Sequence, residues 1–205
     1  MPNFDIWLAI AYYMVMKKSH ADSKQDEIVN AAIRLFSRKG IEGTSVREIG
    51  REAGVTDAAI YKHFESKDDV ALSVFSRYSD LYSKLVDYYR QFESPFEHRL
   101  DKMIVDILEQ HDKDRFGLLL LGQRHEIFAR LGATHRLPIV AMTDFIQLGI
   151  EEEAIPKQSA RLTAALVIGA FTRLAVFSDM GGLPPTLSDM KTEIQERIRG
   201  LVGLK

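Results

Sequence analysis

Residues 44–64 read TSVREIGREAGVTDAAIYKHF, and this stretch decides the fold. Ser45-x-x-Glu48 has the form of a capping box, in which the hydroxyl accepts an orphan backbone N–H and the acid answers it. Val46, Ile49 and Ala53 then recur at helical spacing and make one apolar face. Gly54 permits a tight turn, Val55 fills the gap beside it, and Thr56 stands where a second helix begins. That helix is expected over Asp57 to about Phe64, with Ile60 and Phe64 as its underside. Asp57, Ala58, Ala59, Lys62 and His63 are left pointing outward. Two short helices joined by a Gly-containing turn, the second polar or small outside and apolar beneath, form a helix-turn-helix. Its second helix is the element that enters the major groove of DNA.

Outward from this stretch nearly every segment reads as helix. Upstream, Ile28, Ala31, Ala32, Leu35 and Phe36 form the stripe of a helix from about Ser23 to Lys39, with Gly40 as a left-handed terminator. Downstream, a long helix starts at Ser66-Lys67 and carries Val70, Val74, Tyr78, Leu81, Leu85 and Tyr88 on one face. Further helices are expected over roughly 95–111, 114–131, 136–151, 157–179 and 188–202. Ser23-x-x-Asp26, Ser66-x-x-Asp69 and Ser94-x-x-Glu97 repeat the capping pattern, and Pro95 and Pro138 sit where a first helical residue costs no donor. No strand-like alternation between hairpin turns occurs, so no sheet is expected.

The bulk numbers suit this reading. The chain has 205 residues, 46% hydrophobic and 27% charged, the balance of a soluble globular protein with a sizeable core. It has no cysteine, which excludes disulfides, a thiolate nucleophile and Cys-ligated zinc, and fits a cytoplasmic location. Net charge is −2, but residues 17–67 hold ten Lys/Arg against eight Asp/Glu, while residues 68–205 hold seventeen against twenty. The N-terminal part is therefore the one suited to face a polyanion. Ile6 to Met16 is apolar and aromatic, yet shorter than the roughly 20 residues a membrane span needs. It reads first as a mis-assigned start before Met14 or Met16, second as an extension packing on the body, and last as a membrane anchor. The expected division is 1–20 extension, 21–67 DNA-binding domain with the motif at 45–64, and 68–205 helical body.

The stretch AAIRLFSRKGIEGTSVREIGREAGVTDAAIYKHFESKDDV, and above all Ile60–Phe64 followed by Ser66-Lys67 after Gly54-Val55, resembles the DNA-binding domain of the tetracycline-repressor (TetR) family. The resemblance covers about Ser23 to Val70. It implies an all-α protein: a three-helix N-terminal domain joined by a long helix to a C-terminal helical domain for ligand binding and dimerisation. It also implies that Arg47 reaches a base edge, where Arg pairs bidentately with guanine. Thr44, Ser45, Thr56, Tyr61, His63 and Lys67 take positions that touch phosphate in the family, and Asp57, Ala58, Ala59 and Lys62 line the groove-facing side. Ser45 and Thr56 can equally be caps, His63 a local packing residue, and Lys67 a solvated lysine. Two departures stand out. Asp57 puts negative charge at the groove entrance, where it must accept from cytosine N4 or orient Lys62. Gly50 lies inside a helix, where Gly costs about 1 kcal/mol relative to Ala, and close approach of the first helix would explain it.

Beyond residue 75 the chain offers patterns rather than motifs. Leu162–Phe177 is apolar almost all round, which predicts burial on all sides, and at sixteen residues with an arginine it reads as too short for a membrane span. Leu187, Met190, Ile194, Ile198 and Leu201 follow at coiled-coil-like spacing. The resemblance implies that these last two helices pair with their two-fold mates, with Leu166, Ala170, Leu174, Met190, Ile194 and Ile198 at the interface of a homodimer; a purely intramolecular core is the alternative. It also makes the middle helices an effector cavity, with Met103, Ile107, His111, Leu119, Arg124, His125, Phe128, Phe145 and Phe171 as candidate walls. No nucleotide-binding or nucleophile-elbow motif appears, and His125-Glu126 lacks the second His of a zinc motif, so neither enzyme, cofactor nor metal is expected. The expected function is a repressor that leaves a double-stranded, pseudo-palindromic operator on binding a small hydrophobic or aromatic effector, with no membrane partner. An architectural or division-linked DNA-binding protein on the same fold is the alternative.

Overall fold

The computed structural model describes residues 22–123 and 126–204, without the side chains of Asp22, Ser23 and Phe128. The three readings of the first sixteen residues, the Ser23 cap, and the Arg124, His125 and Phe128 side chains therefore lie outside the described residues. Every regular element described is helical. The described residues divide into two compact units, one up to Val74 and one from Phe75 onward.

The first unit holds α1 (Asp22–Lys39), α2 (Val46–Ala53), α3 (Asp57–Tyr61) and the start of α4 (Lys67–Gln91). Its core is built by the expected stripe: Ile28, Ala31, Ala32 and Phe36 of α1 are fully buried with Ile49 and Ile60. Gly40 ends α1 at φ 71° and Gly54 ends α2 at φ 67°, left-handed values that only glycine adopts without strain. Ser45 and Glu48 form a reciprocal capping box at the head of α2, and the Thr56 hydroxyl accepts from Ala59 N–H at the head of α3. At the head of α4 the Ser66 hydroxyl accepts from Asp69 N–H and donates to Asp69 Oδ2. The helix expected to reach Phe64 ends at Tyr61. His63 and Phe64 N–H both turn back to the Ile60 carbonyl, so the chain closes with a turn that drops Phe64 into the core.

The second unit continues α4 and adds α5 (Phe96–Lys113), α6 (Phe116–Leu121), α7 (Ile127–Gly132), α8 (Pro138–Glu151), α9 (Ala160–Asp179), a 3-10 turn (Leu187–Met190) and α10 (Lys191–Val202). The helix expected over 114–131 is two helices: α6 starts at Phe116, whose N–H Asp114 Oδ1 accepts, and stops at Gly122 before α7 begins. The Ser94 box does not form either: Pro95 takes the cap position and Ser94 Oγ bonds His98 Nδ1 at 2.6 Å. In α4, the expected stripe through Leu85 is buried and Tyr88 only half so; a second stripe of Phe75, Tyr82, Val86 and Tyr89 is buried as well. This helix is covered on two sides. Phe96 of α5 stacks on Phe145 of α8 with ring centroids 4.9 Å apart, and a side chain at Gly149 would collide with that ring.

Two expectations about the last helices are corrected. The apolar run 162–177 belongs to a 20-residue helix, long and apolar enough to cross a membrane by length and composition alone. It is not buried on all sides: Leu162 is 61% exposed and Leu166 51%, with Phe177 and Met180 exposed beyond them. Ile194 and Ile198 of α10, by contrast, are only 5% and 3% exposed within the unit, where α10 packs on α5 and α9. The apolar surface left uncovered thus lies mainly on α9, with Leu201 alone exposed in the α10 stripe.

Candidate nucleic-acid interface and ligand cavity

The helix-turn-helix is fastened from beneath. Arg34 of α1 pairs with Glu52 of α2 at 2.8 Å, and Lys39 with Glu48 at 2.7 Å. Glu48 is held at about 2, first by Lys39 and then by Ser45 N–H and the Ser45 hydroxyl. These surface pairs neutralise Arg34 and Lys39. Gly50 is required by the turn and α3 rather than by α1: a Cβ there would lie 2.9 Å from the Val55 carbonyl oxygen and 3.2 Å from Asp57 Oδ1. That corrects the expectation that α1 explains this glycine.

With the underside closed, one face remains open. Ser45, Arg47, Thr56, Asp57, Ala58, Tyr61, Lys62 and His63 are exposed, Ala59 and Lys67 half-buried. Tyr61 is 56% exposed, an aromatic ring with a hydroxyl standing free of the core. Arg47 and Lys62 show no ion pair within the described residues, so their charges face outward. Asp57 is not drawn to Lys62; its carboxylate leans toward the α2 backbone at Gly50. Thr44 departs from the expected set. It is buried, and its hydroxyl donates to the Gly40 carbonyl at 2.8 Å, closing the loop after α1. Lys67 is also engaged, donating to the Ile41 carbonyl at 2.8 Å. Ser45 and Thr56 do act as caps, and both residues are exposed.

The second unit encloses a cavity of about 450 Å³. Tyr82 and Val86 of α4, Ile107 of α5, Leu118 of α6, Met142 of α8 and Phe171 of α9 stand among its walls. Glycines let the walls close. A Cβ on Gly117 would meet the Tyr78 ring at 2.8 Å and the Tyr82 ring at 3.1 Å, and one on Gly122 would meet Thr172 Cβ at 3.1 Å. Of the expected wall residues, Ile107 and Phe171 line this cavity. Met103 and Phe145 are packed into the core beside it, where α5 meets α8, and Leu119 is half-buried on α6 without facing the cavity. His111 is buried at the end of α5, and burial lowers its pKa.

A polar brace missed by sequence reasoning shapes one wall. Arg136 Nε and Nη2 bond Asp87, Nη2 also bonds Asp144 at 2.6 Å, and the Arg136 carbonyl accepts from Ser83 Oγ at 2.7 Å. The next residues, Leu137 and Pro138, are wall residues. Three partners spread over positions 83, 87 and 144 carry no pattern that sequence spacing reveals.

Residues 28–74 match the family of bacterial regulatory proteins described as the tetR family. Over 93 residues the chain is 32% identical to the HTH-type transcriptional regulator AcrR of Shigella flexneri, covering 45% of this chain and 43% of that protein. The chain spans less than half the length of the first curated relatives it matches. Among solved structures, the fatty acid degradation regulator FadR of Bacillus halodurans matches with a TM-score of 0.72 at 18% identity, covering 88% of this chain and all of that one. The FadR regulator of Bacillus subtilis, solved in complex with stearoyl-CoA, matches with a TM-score of 0.71 at 17% identity, covering 87% and 97%. At such identity these likenesses establish the fold.

Proposed function

We propose, from the premise that this chain belongs to the tetR family of bacterial regulatory proteins, that it is a homodimeric transcriptional repressor released from a pseudo-palindromic DNA operator by a small hydrophobic effector. The observation that carries this is the open face of the helix-turn-helix, where Arg47, Tyr61, Lys62 and His63 stand exposed above a closed apolar underside. Arg47 reads a base edge, Tyr61 and His63 position the unit on phosphates, and Asp57, Ala58, Ala59 and Lys62 shape the groove-facing surface. The uncovered α9 stripe supports a two-fold partner, and two reading heads about one helical turn apart or more then call for a palindrome.

The apolar cavity supports an effector-responsive regulator over an architectural protein, since its volume lies in the range of small-molecule sites. Release must come from differential affinity: an effector that weakens operator binding 100-fold binds about 100-fold more weakly to the DNA-bound form. Selection of bound duplexes from random DNA tests the DNA reading directly. We expect an enriched pseudo-palindrome. Against it, Arg47→Ala relaxes preference at one base pair per half-site, by about 1–3 kcal/mol, whereas Tyr61→Phe weakens every sequence alike. Absence of any enriched sequence, or equal scaling by both variants, overturns this division of labour.

A further inference from the structure

The cavity and the bare side of α9 share residues. Tyr82, Val86, Ile107 and Phe171 line the cavity and are buried, whereas Ala165 and Gly169 line it and are exposed. Neither of these two has a side chain long enough to face two ways, so the cavity opens to the surface beside them. Leu162, Leu166 and Phe177 are exposed on the same helix, and Met180 at its end. With Ala165, Gly169 and Arg173 they recur at helical spacing and form one face. One face of α9 thus carries both the mouth of the cavity and the uncovered apolar stripe.

Gly169 says what the face is for. It stands at the middle of a 20-residue helix, where glycine disfavours the fold, yet a Cβ there would meet nothing within 4 Å. Gly117 and Gly149, by contrast, are held small by rings of their own chain. Packing within the chain gives no reason for glycine at 169; close approach of something from outside does. The stripe is bulky at both ends and small at its centre, with Leu162 and Phe177 seven and eight residues from Gly169. A second copy crossing antiparallel at Gly169 sets Leu162 of each copy toward Phe177 of the other. It also holds the two Arg173 about 12 Å apart along the helix axes. Such self-complementarity is what a two-fold interface requires.

We propose that a second copy of this chain completes the ligand cavity: α9 of one protomer lies across the mouth beside Ala165 and Gly169 of the other, so the site closes only in the dimer and an apolar ligand tightens the dimer. This rests on the homodimer and effector readings above and adds the coupling between them. A partner laid on the stripe cannot avoid covering the mouth, because Ala165 and Gly169 belong to both. Closure takes the last apolar surface of the ligand out of water, a gain that only the dimer offers. By reciprocity the ligand returns the same factor to assembly. Release from the operator then follows a change of geometry within an intact dimer, not its dissociation.

Fluorescence titration of the full chain with N-phenyl-1-naphthylamine, an uncharged dye that brightens out of water, tests this. We expect the dimer to bind the dye and to shield it from iodide in solution. Leu166 and Phe177 lie in the stripe without lining the cavity, and Phe177 stands two turns from the mouth. Leu166→Glu and Phe177→Glu should both bind the dye on the order of ten-fold more weakly and leave it open to iodide. Without any variant, sedimentation of the wild type should show the dye tightening the dimer by about the same factor for each site filled. Gly169→Leu enters open space in the chain and should keep its helical content while losing both dye and dimer. Equal dye affinity and shielding in a dimeric wild type and the two monomeric variants overturns the shared mouth and leaves the homodimeric repressor standing. So does a dimer constant indifferent to the dye, or a Gly169→Leu chain that loses only one of the two. A wild type that is monomeric with and without dye overturns the proposal and the homodimer together, and a dimer that binds no dye overturns it together with the effector reading.

Discussion

Lys67 Nζ donates to the Ile41 carbonyl at 2.8 Å, joining the head of α4 to the loop that follows α1. The lysine proposed to touch phosphate is therefore a structural tie within the free protein. Lys67→Ala should lower the stability of the first unit by about 1–2 kcal/mol, the range of a half-buried bond to a charged donor. Thermal melting in the absence of DNA checks this. An unchanged melt would mean that the tie contributes nothing and that Lys67 serves phosphate alone.

Gly50→Ala sets helix propensity against packing. Alanine is favoured by about 1 kcal/mol in a helix interior, but its Cβ would press on the Val55 carbonyl at 2.9 Å. That atom is backbone and cannot rotate away. The variant should be destabilised and should lose operator affinity, because the turn that aims α3 is displaced. Gly200→Ala, on α10 with nothing near its Cβ position, should instead gain up to about 1 kcal/mol. Chemical denaturation of both variants makes the comparison.

Leu166→Glu and Ile194→Glu should separate assembly from folding. Leu166 is exposed on α9 and Ile194 is buried within the unit. Light scattering should report about twice 23.3 kDa for the wild type and a folded monomer for Leu166→Glu. Ile194→Glu should lose helical content, since a buried unpaired carboxylate is strongly unfavourable. A wild-type monomer would remove the dimer and the palindrome together.

The capping box should report itself through pH. Glu48 is depressed from 4.5 to about 2 in the folded chain, chiefly by the Lys39 bond and then by Ser45. A depressed carboxylate contributes stability that is fully present above 4.5 and is lost as pH falls toward 2. The stability difference between the wild type and Glu48→Gln should therefore shrink over that window and stay constant above it. Denaturation at a series of pH values measures it, and a difference independent of pH would show that the ionised form carries no advantage.

Much of the first unit was legible because its determinants are local. Ser45 and Glu48, Thr56, Gly40 and Gly54 act on backbone within four residues, so their types and spacing announce caps and turns. The length of α3 was not legible: Phe64 continues the apolar period of Ile60, yet it reaches the core through a turn. The second unit was less legible because its determinants are distant in sequence. Two buried faces on α4 dilute the single stripe that periodicity detects, and α9 looks the same in sequence whether its faces are covered by its own chain or left open. Arg136 finds its carboxylates at positions 87 and 144, and Tyr78 its own at 114. No spacing rule encodes partners so far apart in the chain.

The open stripe of α9 also matters before any partner is met. A newly synthesised chain carries Leu162, Leu166, Phe177 and Met180 in water, an apolar edge interrupted by Gly169 and Arg173. Such an edge is indiscriminate: it adheres to chaperones, to unfolded chains, or to a homologous regulator whose own last helices have a similar profile. Fidelity of pairing must then come from the few non-apolar points along it, with Arg173 and the small residues Ala165 and Gly169 setting which helix can lie close. Those three positions, rather than the leucines, are where related chains sharing one cell would diverge to avoid mixed pairs.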